Sequence, residues 1–280
     1  MVLFTIGGHE MHTLRNRILF FGAALTAGLG SLGLHWYMMK NCLDEKGLLI
    51  AGNLPGKLLW ALGIAFVLFL VVFLRRIGGD GSYGDIFPKS FLSGGLMTAA
   101  GAVLLFAIPG LDLDAGAPLP TVTGFPLLMQ QATTAAMTYL PWAAAVSMAV
   151  LGILRIRGMR PWPLWGGIVC LFYTLMLVNN YRLWSADPHL QDYAYQLLAQ
   201  VLLMLCAFHR TCCDAGIIQR KKLLATGLSA AVCAIASLSM DFQRGFFLAA
   251  ALWAVGSMCT TEVLPPDPEE EPEEPEEEQL

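Results

Sequence analysis

The chain has 280 residues, of which 56% are hydrophobic and only 14% are charged. Soluble domains carry about 25% charged residues and interrupt their apolar runs at helix or strand spacing. The runs in this chain are long and apolar on every face. This composition excludes an ordinary soluble domain and indicates an integral membrane protein built from transmembrane helices.

The formal net charge of −4 combines two parts of opposite sign. Residues 262–280 contain ten acidic side chains and no lysine or arginine, whereas the rest of the chain has 17 basic and 11 acidic residues. A basic body is typical of cytoplasmic loops in membrane proteins, so it requires no nucleic-acid partner. Proline and like charges recur in every short window of the tail, which predicts that residues 261–280 are disordered and cytoplasmic.

Eight apolar segments follow a polar cytoplasmic lead at residues 1–17 and predict an all-α, polytopic transmembrane helix bundle within residues 18–260. The segments are 18–39, 58–74, 91–108, one crossing within 121–154, 163–179, 188–208, 223–240 and 245–259. The first is interpreted as a retained helix rather than a signal peptide, because its apolar run exceeds the usual signal-peptide core. The fourth fits either one long helix kinked at Pro141 or an interfacial helix leading into a span. Small residues in the third, Gly94 and Gly101 among them, would let another helix approach closely.

The distribution of basic residues predicts a topology with both termini in the cytoplasm. With eight crossings and an inside N-terminus, twelve of the 17 basic residues fall on the inner side and five on the outer side. Cytoplasmic loops of membrane proteins are enriched in lysine and arginine, so this asymmetry favours the inside placement of both ends.

The hairpin formed by the fifth and sixth segments carries the densest polar and aromatic patch of the chain. Spacings of four residues place the polar side chains of its second helix on one face. Such side chains either join neighbouring helices, at roughly 0.6 to 2 kcal/mol per hydrogen bond, or line a ligand cleft in the outer half of the bundle. The candidate cleft consists of Tyr173, Asn179, Asn180, Arg182, Asp192, Gln196 and Gln200.

No catalytic or metal-binding motif stands out in the sequence. The chain lacks a C-x-x-C pair and an H-E-x-x-H motif, and no histidine follows the Gly-Leu-Ser sequence at 227–229, which loosely resembles a serine nucleophile turn. His209, Cys212 and Cys213 supply too few ligands for a four-coordinate zinc. We therefore expect a protein that is not an enzyme and has no metal or cofactor. Its partners would be the lipid bilayer and another membrane protein, or a basic cytoplasmic protein bound through the tail.

The hairpin sequence NNYRLWSADPHLQDYAYQLLAQVLLMLCAFHRTCCDAG, at residues 179–216, resembles a group of multi-pass membrane proteins of Gram-positive anaerobic bacteria. The first loop, LDEKGLLIAGNLPGK at 43–57, is similar to the same group to a lesser degree. The group is uncharacterised, so the resemblance implies a bacterial cytoplasmic membrane but no activity. The expected function is that of a non-enzymatic membrane or complex component. The alternative is a small-molecule permease that uses the candidate cleft.

Overall fold

The computed structural model describes residues 3–42, 50, 52–77, 82–111, 125–184, 194–239 and 243–261. Every regular element in these ranges is helical, and a single 3₁₀ turn, Ile108–Gly110, follows the fourth helix. Of the acidic tail predicted to be disordered, residues 262–280 lie outside the described residues, and only Thr261 is described. In chain order the helices are α1 (Leu3–Asn41), α2 (Leu54–Arg76), α3 (Tyr83–Ile86), α4 (Phe91–Ala107), α5 (Phe125–Arg157), α6 (Pro163–Trp184), α7 (Ala194–Ala215), α8 (Arg220–Ser237) and α9 (Arg244–Ser257).

Five helices of the described chain are long and apolar enough to cross a membrane. This supports the predicted all-α membrane protein. Two of the remaining helices depart from these criteria for a membrane span. α9 has only 14 residues, which gives about 21 Å of helix, whereas the hydrocarbon layer is roughly 30 Å thick. α8 begins with three basic residues. The five candidate spans are Leu54–Arg75, Phe91–Gly110, Ala135–Arg157, Pro163–Arg182 and Ala194–Ala215.

The region that the sequence left with two interpretations is one continuous helix. α5 has 33 residues and includes Pro141, and its part that can cross a membrane is Ala135–Arg157. Proline lacks the N–H that would bond the preceding turn, and neighbouring helices commonly accommodate this loss in membrane proteins. Of the two readings, the structure has the long helix.

Close helix packing at α4 is explained by its glycines. A Cβ atom added at Gly101 would lie 2.5 Å from the carbonyl oxygen of Ala145, and one at Gly94 would lie 2.5 Å from that of Gly152, both on α5. On the other side of α4, the Ser93 hydroxyl donates a 2.5 Å hydrogen bond to the carbonyl oxygen of Gly256 on α9. Lipid tails are as apolar as the helix surfaces, so the hydrophobic effect does not drive helices together in a bilayer. Helices there associate through close packing at small residues and through hydrogen bonds. Gly94 and Gly101 therefore let α5 approach α4 closely, as predicted for the small residues of the third segment.

The helices are arranged so that α8 and α9 lie next to each other, with α1 packed against α8 and α4 packed against α9. α6 and α7 form an antiparallel pair that packs against α8 through α7. The α1–α8 contact includes a 2.5 Å hydrogen bond between the ring nitrogen Nδ1 of His35 and the hydroxyl of Ser239. The cavity described below is lined by residues of α1, α4, α8 and α9.

Candidate functional site

A buried ion pair lies at the C-terminal end of α7. Arg210 and Asp214 are one helical turn apart, and their side chains are 1% and 0% exposed, with Nε and Oδ1 separated by 3.2 Å. Arg210 also donates to the carbonyl oxygen of Ser257 at 3.1 Å and to the Tyr83 hydroxyl at 3.2 Å. A buried charge pair is stable only if further hydrogen bonds satisfy its remaining donors and acceptors, and these contacts provide them.

The Tyr83 hydroxyl joins both members of this pair. It donates to Oδ1 of Asp214 at 2.9 Å while accepting from Arg210. Burial raises the pKa of Tyr83 above its usual range, although the charge of Arg210 partly opposes the effect. The phenol therefore keeps its proton at neutral pH and remains a donor to the carboxylate. α3 and the loop after it are held against the bundle by this contact.

A second arginine, Arg155 near the end of α5, has far fewer partners. Its side chain is only 6% exposed, and its Nε and Nη1 atoms have no hydrogen-bond partner. The ring of Phe87 lies 4.9 Å from its guanidinium carbon and 4.0 Å from that of Arg210. A cation over an aromatic face gains about 0.5 to 2 kcal/mol, which is small beside the desolvation of a buried charge. Arg155 therefore remains a buried cation with unused donors.

Arg155 lines a cavity of about 600 Å³ between α1 and α4. The volume falls within the range of roughly 300 to 1,000 Å³ that is usual for small-molecule sites. Its walls are apolar: Phe21, Ala24 and Leu25 come from α1, Leu92 and Leu96 from α4, and Leu228, Ala231, Ile235 and Val255 from α8 and α9. The cavity is therefore lined mainly by hydrocarbon, as expected for a site that holds an apolar group.

The polar lining of this cavity includes two basic side chains. Lys89, Ser90, Arg155 and Thr261 all line it, and the buried hydroxyl of Thr261 has no hydrogen-bond partner. Leu25 and Leu92, which also line it, are 54% and 76% exposed, so the cavity opens at a surface where helices expose leucine side chains. Apolar walls combined with two basic groups suit an amphipathic ligand that carries a negative charge.

Five of the seven residues of the cleft predicted from the sequence are buried in the bundle. Asn179, Gln196 and Gln200 are buried, as are Tyr173 and Asn180, and none of the six predicted residues that the structure describes lines the cavity. Arg182 is exposed, and Asp192 lies outside the described residues. The burial of both glutamines fits a hairpin whose polar face points inward. A ligand-binding role for the seven residues stays a prediction.

Two of these side chains, Asn180 and Tyr173, contact α9 or the residue that precedes it. The Asn180 and Gln243 side-chain amides exchange two hydrogen bonds, of 3.1 and 3.3 Å. Gln243 also has a left-handed backbone, with φ of 53°, which is uncommon for a residue other than glycine. The Tyr173 ring lies 5.5 Å from that of Trp253. The hydroxyl of Tyr173, Nε1 of Trp253 and both amide atoms of Gln200 have no hydrogen-bond partner.

Arg155, Arg210, Asp214, Tyr83 and Phe87 together form what we call the arginine cluster. Sequence reasoning missed this cluster. Tyr83, Phe87 and Arg155 are distant in sequence from α7, and no local pattern links them to it. One signal was available: Asp214 follows Arg210 by four residues, the spacing at which opposite charges on a helix face each other. In a helix apolar enough to cross a membrane, such a pair is expected to face the protein interior.

No protein-family model, curated protein or solved structure matches the chain.

Proposed function

We propose that the protein is a non-enzymatic component of a bacterial cytoplasmic membrane that binds an anionic phospholipid in the cavity between α1 and α4. The observation that carries the proposal is Arg155, a nearly fully buried cation that has two nitrogen atoms without a hydrogen-bond partner and lines a mainly apolar cavity. The proposal includes the eight-span arrangement with both termini inside, which would place the arginine cluster near the cytoplasmic surface. The distribution of basic residues in the sequence supports this orientation.

The phosphate group supplies what Arg155 lacks. A guanidinium presents its donors in a planar fork that matches two oxygens of a phosphate, and such charge-assisted bonds are about twice as strong as neutral ones. Lys89 adds a second positive charge, and the hydroxyl of Thr261 can donate to a phosphate oxygen. A zwitterionic lipid would bring its own cation into the same space, so the site favours a lipid with net negative charge.

The acyl chain accounts for the rest of the lining. The exposed leucines at the opening would face the bilayer, so a lipid can enter sideways without passing through water. Moving an acyl chain from bilayer to cavity gains little free energy, because both environments are hydrocarbon. The headgroup therefore determines affinity, whereas the apolar walls determine that the ligand must carry a chain.

Lipid titration followed by native mass spectrometry tests the proposal. The purified protein is titrated with phosphatidylglycerol and, separately, with phosphatidylcholine, with glycerol phosphate as a chainless competitor. We expect phosphatidylglycerol to bind about tenfold more tightly, and glycerol phosphate not to displace it. The substitution Arg155→Gln should abolish the preference, whereas Arg157→Gln, an exposed arginine two residues along the same helix, should leave it unchanged.

A substitution in the apolar wall checks that the cavity itself is the site. Ala24→Phe adds a large side chain to the cavity without removing a charge, and it should weaken the binding of phosphatidylglycerol. Equal affinity for the two lipids in the wild-type protein would overturn the proposal. An equal loss of phosphatidylglycerol binding in Arg155→Gln and Arg157→Gln would also overturn it, provided that tryptophan fluorescence shows both variants to be folded.

The permease remains a second candidate because of Gln200. Its amide is fully buried and has no hydrogen-bond partner on either atom, which is a costly arrangement unless water or a solute enters. Proteoliposomes that carry Gln200→Leu would lose uptake of a solute at unchanged stability if the residue contacts that solute. A change in stability alone would assign Gln200 to helix association.

A further inference from the structure

We propose that the acidic tail, residues 262–280, docks on the basic residues that line the α1–α4 cavity and competes there with the anionic lipid. The inference rests on the proposed function for the identity of the competitor, but the docking itself is tested separately below. It concerns regulation of the same site by a segment of the same chain.

The first argument is where the tail begins. Thr261, the last residue before it, is 3% exposed and lines the cavity together with Cys259 and Thr260. The carboxylate of Glu262 therefore belongs to the residue next to the cavity lining. No linker has to be crossed before the first acidic side chain reaches the neighbourhood of Arg155.

The second argument is charge complementarity. The tail has ten acidic and no basic residues, whereas the cavity lining has Lys89 and Arg155 and no acidic residue. Arg157, Lys221 and Lys222, at the helix ends that also carry Arg155 and Arg220, are exposed. A carboxylate offers a guanidinium the same two-oxygen geometry as a phosphate. Tail and lipid therefore use the same donors, so binding of one excludes the other.

The third argument is effective concentration. A tail of 19 residues extends up to about 60 Å at roughly 3.3 Å per residue, so every carboxylate lies within reach of the cavity. A ligand tethered by a short flexible linker has an effective concentration in the millimolar range. Even a weak tail interaction therefore competes measurably with a lipid. Because the attraction is between charges that are partly in water, it should weaken as salt is added.

Three forms of the protein measure the competition: the full chain, a chain that ends after Thr261, and a full-length chain whose ten tail acids are replaced by glutamine or asparagine. Phosphatidylglycerol affinity is measured for each at low and high salt by native mass spectrometry and, for the salt series, in nanodiscs. We expect truncation and neutralisation to strengthen binding equally, by about five- to tenfold at low salt, and the gain to shrink at high salt.

Carbodiimide cross-linking tests the docking without any lipid. The reagent joins a carboxylate to a nearby lysine amine, so the full chain should yield tail-to-Lys89 cross-links. Lys57, an exposed residue in the first turn of α2 and outside the cavity, should yield none. Lys89→Arg removes the amine but keeps the charge, and it should eliminate the cross-link. Phosphatidylglycerol should reduce the Lys89 cross-link, and phosphatidylcholine should not.

The outcomes separate the two proposals. If truncation leaves lipid affinity unchanged and Lys89 yields no cross-link, tail docking is wrong, while the loss of binding in Arg155→Gln would still support the lipid site. If no form of the protein prefers phosphatidylglycerol but the Lys89 cross-link forms, the lipid site is wrong and the tail is the occupant. Equal cross-linking at Lys89 and Lys57 would show an unspecific tail and overturn the docking.

Discussion

Removal of the Asp214 charge should be the most costly conservative change near the site. Asp214 receives bonds from Arg210 Nε at 3.2 Å and from the Tyr83 hydroxyl at 2.9 Å. In Asp214→Asn, Arg210 keeps its contacts to Ser257 and to the Phe87 ring but loses its counter-charge. Because Arg210 is only 1% exposed, water cannot replace that counter-charge. Leaving one member of a buried pair uncompensated costs about 3 to 5 kcal/mol. We expect a loss of that size in the free energy of unfolding.

Removing both charges should cost less than removing one. Replacement of a buried ion pair by apolar residues of similar volume is often close to neutral, so Arg210→Met with Asp214→Leu should lose at most about 2 kcal/mol. Unfolding is followed by tryptophan fluorescence during titration of mixed micelles with a denaturing detergent. The control is Asp85→Asn, an exposed carboxylate that bonds to Ser82 at the start of α3, with an expected cost of about 1 kcal/mol. A loss below about 1 kcal/mol in Asp214→Asn, or a double variant less stable than both single variants, would refute the reasoning.

Three further predictions concern packing, a polar contact and pH. Gly101→Ala should lower the free energy of unfolding by about 1 to 3 kcal/mol, because the added Cβ would meet a carbonyl oxygen of α5. The control is Gly95→Ala, whose Cβ would meet nothing within 4 Å and which should change stability little in the same thermal unfolding experiment. Asn180→Leu should lose about 1 to 2 kcal/mol by leaving the Gln243 amide buried without its partner, and detergent unfolding measures the change. Because the pKa of Tyr83 is raised in the folded protein, its contribution to stability is fully present below about pH 10, the pKa of tyrosine in an unfolded chain. Above that pH the tyrosine ionises in the unfolded chain but not in the folded one, so the free energy of unfolding falls. Tyr83→Phe should flatten this decline when unfolding is measured from about pH 8 to 11.

The helices could be located from the sequence because lipid imposes a composition that is easy to recognise. Each of the eight apolar segments overlaps a helix, and the glycines of α4 identified a face that α5 approaches closely. Helix ends were less certain: α1 begins at Leu3, well before the predicted span at residue 18. Apolar composition predicts which residues lie in the bilayer, whereas helix length also depends on polar residues beyond it.

The candidate site could not be located, because a sequence shows which polar residues exist but not which of them find partners. The hairpin attracted attention through its density of polar side chains, yet Asn180 satisfies its amide on Gln243, far away in the chain. Arg155 looked like an ordinary basic residue at a helix end. Only the packing of α3, α7 and α9 around it shows that Arg155 is buried with unused donors.

The position of α9 has a consequence for biogenesis. This helix is the last to be synthesised among those described, yet it packs between α4 and α8, and nine of its 14 residues are buried. α4, which is separated from α9 by four long helices in the chain, cannot complete its packing until α9 arrives. The order in which helices leave the ribosome therefore differs from the order in which they can assemble. Such a bundle must stay open at its centre during translation and close only when its C-terminal helix inserts.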